Sequence, residues 1–188
     1  MSNEHPKLKA ALKKNILELN NCILKRRAYN KFLSLETAHG LDFFRIAITA
    51  LKNDLYAGAH RVFDKHKDAA SIWYIKNIAP KEFRDACISV NVEIEDLEKI
   101  CGKLAHIRDR VHFHIDKKGL SEPATIWQKA DVTGDEFIYL TESAHEILRE
   151  MYQHLTGKDQ QVPDYHGDDI VKILTAYKKA YPDAPLSI

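Results

Sequence analysis

The sequence predicts an all-α protein, a helical bundle with a small hairpin or irregular insertion near residues 124–140. Three observations lead there. Apolar residues recur at steps of three and four through most of the chain, the period of a helix with one buried face. Turn clusters are few, and only one short stretch carries a hairpin signature. Of the 188 residues 45% are hydrophobic, enough for one core, so residues 1–188 are expected to form a single domain.

The elements follow in order. Leu8, Leu12, Ile16, Leu19 and Ile23, continuing toward Phe32 and Leu33, mark a long first helix, with Pro6 suited to its first turn. After His39-Gly40, Asp42 can cap a second helix whose apolar residues run from Phe43 to Val62, toward Asp64. A shorter helix over Ser71 to Ile78 stops before Pro80, which opens the next, to Ser89. Another begins near Val92. Gly119 to Pro123 breaks the pattern. Thr133-Gly134-Asp135 lies between Ile126-Trp127 and Phe137-Ile138-Tyr139 and reads as the turn of the hairpin. Thr141 or Glu142 then starts a helix closed by Gly157, and Asp168-Asp169 starts a last one ending before Pro182.

Charge narrows the partners. Lys and Arg total 28 against 27 Asp and Glu, a net +1, so no global cationic field gathers nucleic acid and any such contact is local. The dense basic runs, Lys7-Leu8-Lys9 through Lys13-Lys14 and Lys25-Arg26-Arg27, read as solvated helix faces. Cys22, Cys87 and Cys101 form no C-x-x-C pair, against a disulfide framework or a cysteine zinc site and in favour of a reducing cytoplasm. The start of the chain lacks the apolar core of a signal peptide, and no stretch approaches a membrane span, so a cytoplasmic protein is expected.

The helix from Val92 carries Ile94, Leu97, Ile100, Cys101, Leu104, Ile107, Val111 and Ile115 on one arc. On that wheel Arg108 falls about 40° from Leu104, inside the arc, and His114 about 80° to the other side, on its edge. A guanidinium facing a core must find a carboxylate, a phosphate or a partner chain, or else reach past the helix end to water. Both readings stand on geometry alone.

An arginine followed by four to six residues and then a histidine is a weak signal, since chance supplies about one match in a chain with this many of each. Arg61 with His66 and Arg149 with His154 also satisfy it. Arg108 and His114 differ in their context: Asp109 directly follows the arginine, Val111 and Phe113 fill the interval, and Asp116 follows the histidine. Requiring Asp or Asn after the arginine cuts chance agreement about tenfold.

Arg108-Asp109-Arg110-Val111-His112-Phe113-His114-Ile115-Asp116 resembles the Arg-polar-x-x-x-x-His-x-Asp signature of the HEPN superfamily (higher eukaryote and prokaryote nucleotide-binding), helical proteins that include many RNases. Ala50-Leu51 through His60-Arg61-Val62-Phe63-Asp64, followed by Ser71-Ile72-Trp73, is similar to the helix preceding that signature in the abortive-infection (Abi) branch. The chain departs from the commoner pattern at Asp109, where Asn is frequent, and at His112, where a small or apolar residue is usual. The second departure leaves open whether His112 or His114 acts. The resemblance implies a metal-independent endoribonuclease of a prokaryotic defence, abortive-infection or toxin-antitoxin system, without cofactor, with RNA as substrate and an antitoxin as a candidate partner. It implies Arg108, His114 and Asp109 as catalytic residues, supported by Asp116 and His112.

The residue types suit that chemistry. Attack of a ribose 2′-hydroxyl on the adjacent phosphate needs a base, an acid and a cation for the crowded phosphorane. Histidine titrates near neutrality and serves either proton role, while arginine offers phosphate a bidentate fork. On an unbroken helix Arg108 and His114 lie about 120° apart, too far to share one phosphate. A twofold homodimer that stacks the two motif helices would build a composite site. His106, His112 and His114 could suggest a metal, but His112 and His114 lie about 160° apart on a helix, so no metal site is assigned. Tyr29, Trp73, Trp127 and Tyr139 could stack bases, although aromatics at helical spacing usually serve a core. A Gly-rich phosphate loop, a G-x-S-x-G elbow and H-E-x-x-H are absent. Two other functions compete: a catalytically inactive HEPN-like dimer that binds RNA, a nucleotide or a partner protein, and a helical scaffold without enzymatic role.

Overall fold

The structure, a computed structural model, describes residues 4–35, 42–107 and 129–182. Within them lie seven helices: α1 (Glu4–Leu33), α2 (Asp42–Phe63), α3 (Ile72–Ile78), α4 (Pro80–Ser89), α5 (Ile94–Ile107), α6 (Gly134–Thr156) and α7 (Asp168–Ala180). No strand occurs among the described residues.

The long α1 is the axis of the bundle. It buries Leu12, Ile16, Leu19 and Ile23 on one stripe and Ala11, Asn15 and Cys22 beside it, because α2 and α6 both pack along it. Asn15 is satisfied inside, its amide donating to the carbonyls of Ala11 at 2.8 Å and Ala70 at 2.6 Å. Glu18 facing Arg61 and Lys25 facing Asp54 set α2 antiparallel to α1. The two helices approach closely at Gly58, where a Cβ would stand 2.8 Å from Cys22 Sγ. Arg26 pairs with Glu142, while Leu12 and Met151 line one groove near the other end, so α6 is also antiparallel to α1.

The short α3 and α4 meet at Ala79, and Pro80 occupies the first turn of α4, where its missing N–H leaves no bond unmade. Trp73 anchors α3, its indole N–H donating to the Phe63 carbonyl at 2.9 Å. The main core joins these elements through fully buried Leu12, Leu19, Ile72, Ile75, Leu97, Leu104, Leu140, Ile147 and Leu148. Each such side chain contributes about 1.5–3 kcal/mol through burial. A smaller cluster of Phe32, Ile170 and Leu174 holds α7.

The expected hairpin is corrected over its described part. Thr133-Gly134-Asp135 is the start of a helix: the Thr133 hydroxyl accepts from the Glu136 N–H at 3.1 Å and Glu136 accepts from the Thr133 N–H at 3.0 Å. This capping box satisfies two N–H groups at once. Phe137, Leu140, Thr141, Ala144, Ile147, Leu148 and Met151 then continue one buried face, so α6 opens at Gly134 rather than at Thr141 or Glu142. Residues 124–128 lie outside the described residues. Gly157 closes α6 at φ 69°, in the left-handed region that glycine enters without a Cβ penalty. Among the described residues no helix is long and apolar enough to cross a membrane.

Candidate functional site

Arg108, Asp109, His112, His114 and Asp116 lie outside the described residues, which end at Ile107 and resume at 129. The structure does describe the helix that delivers the chain to Arg108 and the walls around that helix end.

Helix α5 buries Leu97, Ile100, Cys101 and Leu104, the stripe expected from the periodicity. Two lysines hold it. Lys76 on α3 donates to Glu98 at 2.9 Å and keeps that carboxyl below its usual range. Five residues before Arg108, Lys103 donates to Glu136 Oε1 at 2.6 Å and to the Asp131 carbonyl at 2.7 Å, fastening α5 to the start of α6. These charge-assisted bonds raise the Lys103 pKa and lower that of Glu136.

The other wall is α2. Lys52, Tyr56, His60 and Asp64 recur every four residues, a spacing that puts them on one helical face, with Asp64 just past the helix end. Each of the four is engaged in a contact. The Tyr56 ring meets Phe137 of α6 edge-on at 5.1 Å, and burial, with Tyr29 nearby, raises its hydroxyl pKa. His60 is only 8% exposed.

Between the last turns of α2 and α5 lies a cleft of about 560 Å³ lined by His60, Phe63, Asp64, Lys65 and His66 and by Cys101, Gly102, Leu104 and Ala105 of α5. Asp64 Oδ1 accepts the His66 N–H at 2.9 Å, which shapes the turn leaving α2. His66 Nδ1 accepts the Asp68 N–H at 3.3 Å, so the neutral ring carries its proton on Nε2. Lys65 lies 5.1 Å from the Trp73 ring centroid. Burial pushes the Cys101 thiol up to about 12, making it a neutral wall rather than a nucleophile. Among the described residues no group of three His, Cys, Asp or Glu converges as a metal site.

The two competing arginine and histidine pairs have structural work. Arg61 donates to Glu18 at 3.0 Å and joins α2 to α1. Arg149 grips Asp159 through Nε and Nη2 and also reaches Glu146, while His154 lies 3.2 Å from Glu150 one turn away. The basic run of α1 is likewise committed, Lys25 to Asp54, Arg26 to Glu142 and Arg27 to the Pro163 carbonyl. Trp73 belongs to the core, Tyr139 is partly exposed on α6, and Trp127 lies outside the described residues. His60, Asp64 and the α2 face to which they belong were not assigned from the sequence. Their signal was the four-residue recurrence of Lys, Tyr, His and Asp along a helix otherwise read for its apolar positions.

The described residues form an all-helical bundle. The AbiU2 model of the HEPN superfamily matches residues 7–174, and the chain belongs to this HEPN-type abortive-infection family. Comparison with curated proteins and with solved structures returns no match.

Proposed function

We propose that the chain is a metal-independent endoribonuclease acting in the cytoplasm of a prokaryote, in abortive infection or as the toxin of a toxin-antitoxin pair. Residues 1–188 act as one domain, and two copies form a homodimer with a composite site. Arg108 binds the non-bridging phosphate oxygens and His114 moves protons, with Asp109 orienting Arg108 or His114 of the partner subunit and Asp116 steadying His114. One histidine takes the proton of the ribose 2′-hydroxyl. The O2′–P bond then forms, the P–O5′ bond breaks, and the second histidine protonates the departing 5′-oxygen. The products are a 2′,3′-cyclic phosphate and a 5′-hydroxyl.

The observation that carries this reading is the family match, in a chain whose sequence from Arg108 to Asp116 follows the helix that Lys103 fastens to α6. The test is RNA cleavage in excess chelator by wild type, Arg108→Ala and His114→Ala. Cleavage that persists with chelator and falls at least a hundredfold in both variants is expected. Cleavage untouched by either substitution overturns the assignment. His112→Ala in the same assay decides between the two histidines, and a monomer by light scattering overturns the composite site.

A further inference from the structure

The cleft between α2 and α5 reaches Ala105, near the last described turn of α5, and its chemistry is mixed in a way suited to a nucleotide. Phe63, Leu104 and the neutral Cys101 thiol give an apolar side. His60 and Asp64 present hydrogen-bonding groups from α2, and Lys65 and the Nε2–H of His66 stand at the turn beyond it. The volume, about 560 Å³, falls among ligand sites of about 300–1,000 Å³. Gly102, exposed on α5, also lines it, and a Cβ at that position would meet nothing within 4 Å among the described residues. A glycine inside a helix weakens the helix, and here it leaves open space where any side chain would project.

We propose that this cleft is a ribonucleotide subsite for the RNA strand, built beside the helix that precedes Arg108 in the sequence. The base packs against the apolar side, His60 and Asp64 hydrogen-bond its edge or the ribose, and Lys65 meets a flanking phosphate. The inference rests on the RNA-cleaving reading, and it adds a specificity pocket built from α2, apart from the motif.

Size at position 102 tests it. Binding of a fluorescent single-stranded 2′-O-methyl RNA, whose blocked 2′-oxygen cannot attack, is measured by anisotropy for wild type, Gly102→Ala and Gly102→Leu. A parallel arm uses the four nucleoside 5′-monophosphates by calorimetry. Lys99→Leu, on the exposed face of the same helix, is the control. Melting and light scattering accompany each variant. Graded weakening is expected, at least tenfold for Gly102→Leu, with native melting, unchanged oligomeric state and an unaffected control. Loss in the oligonucleotide arm identifies an RNA strand as the ligand, and loss in the monophosphate arm a free nucleotide. Unchanged binding in both arms overturns the proposal, as does an effect that arises only through altered oligomeric state. Arg108→Ala separates the two ideas. If it abolishes cleavage while Gly102→Leu binds normally, the subsite falls and the ribonuclease stands; if it cleaves normally while Gly102→Leu binds weakly, the reverse holds.

Discussion

Lys103 reaches from the last turns of α5 to Glu136 in the first turn of α6, Nζ to Oε1 at 2.6 Å, while the same carboxylate caps α6 through its other oxygen. One glutamate therefore starts one helix and fastens the end of another. Thr133→Ala, which removes the reciprocal half of the cap, is expected to cost about 1 kcal/mol, a fall of about 2–4 °C in Tm. Glu136→Gln keeps an acceptor for the cap and loses the charge. Glu136 has its pKa lowered by folding, so its contribution is full above the unfolded value of about 4.3 and disappears as pH falls through the folded value. Lys103 has its pKa raised, so its contribution is full below its unfolded value and is lost only in strong alkali. Thermal melts of wild type and Glu136→Gln should differ by a constant amount near neutrality and converge in acid.

Gly58 and Cys22 mark the tightest approach of α1 and α2. Gly58→Ala forces a methyl to within 2.8 Å of the sulfur, whose own bond to the Leu55 carbonyl limits its freedom to move. A loss of about 1–3 kcal/mol is expected in chemical denaturation. Adding Cys22→Ala should recover part of that loss, a coupling that independent sites would not show.

His145 is 1% exposed on α6, and burial lowers its pKa below 6.5. The folded chain holds it neutral while the unfolded chain protonates it, so its contribution is full above about pH 6.5 and is lost as pH falls from there through the folded value. Wild type should lose stability between pH 7 and pH 5 more steeply than His145→Leu, as melts across that range would show.

Arg61 and Arg149 each precede a histidine within the same loose window as Arg108 but hold Glu18 and Asp159. Arg61→Ala and Arg149→Ala should lower Tm by a few degrees and leave cleavage per folded molecule within about twofold of wild type. Cleavage abolished in either, with the fold intact, would move the site away from Arg108. The Arg149 tie should also resist acid, since that guanidinium holds the Asp159 carboxyl down at about 2.

Most helix boundaries were legible because each carried local chemistry of its own: Pro80 at a first turn, Gly157 at a last, Asp168-Asp169 at a start. The start of α6 was misread because Thr, Gly and Asp serve turns and helix caps alike, and Phe137-Ile138-Tyr139 has the aromatic and β-branched character of a strand. Glu136 was the discriminating residue, three positions after Thr133. The family could be recognised from the sequence because the Arg108 to Asp116 pattern that suggested it is local. The cleft lined by His60 and Asp64 could not be read from the sequence, since the approach of α5 to α2 makes it, a tertiary fact. The basic run at Lys25 to Arg27, read as a solvated face, makes ties to Asp54, Glu142 and the Pro163 carbonyl, partners the sequence pattern does not reveal.

The separation of Phe32, Ile170 and Leu174 from the main core has a consequence for how the protein comes apart. Helices α1 to α6 share one continuous interior and should lose their amide protection together, at the free energy of global unfolding. Helix α7 is held by two of its own buried residues and should open on its own, far more often, exchanging its amides while the rest of the molecule stays closed. Cleavage by a protease within 167–182 would then trim the chain without releasing the helix end that leads to Arg108.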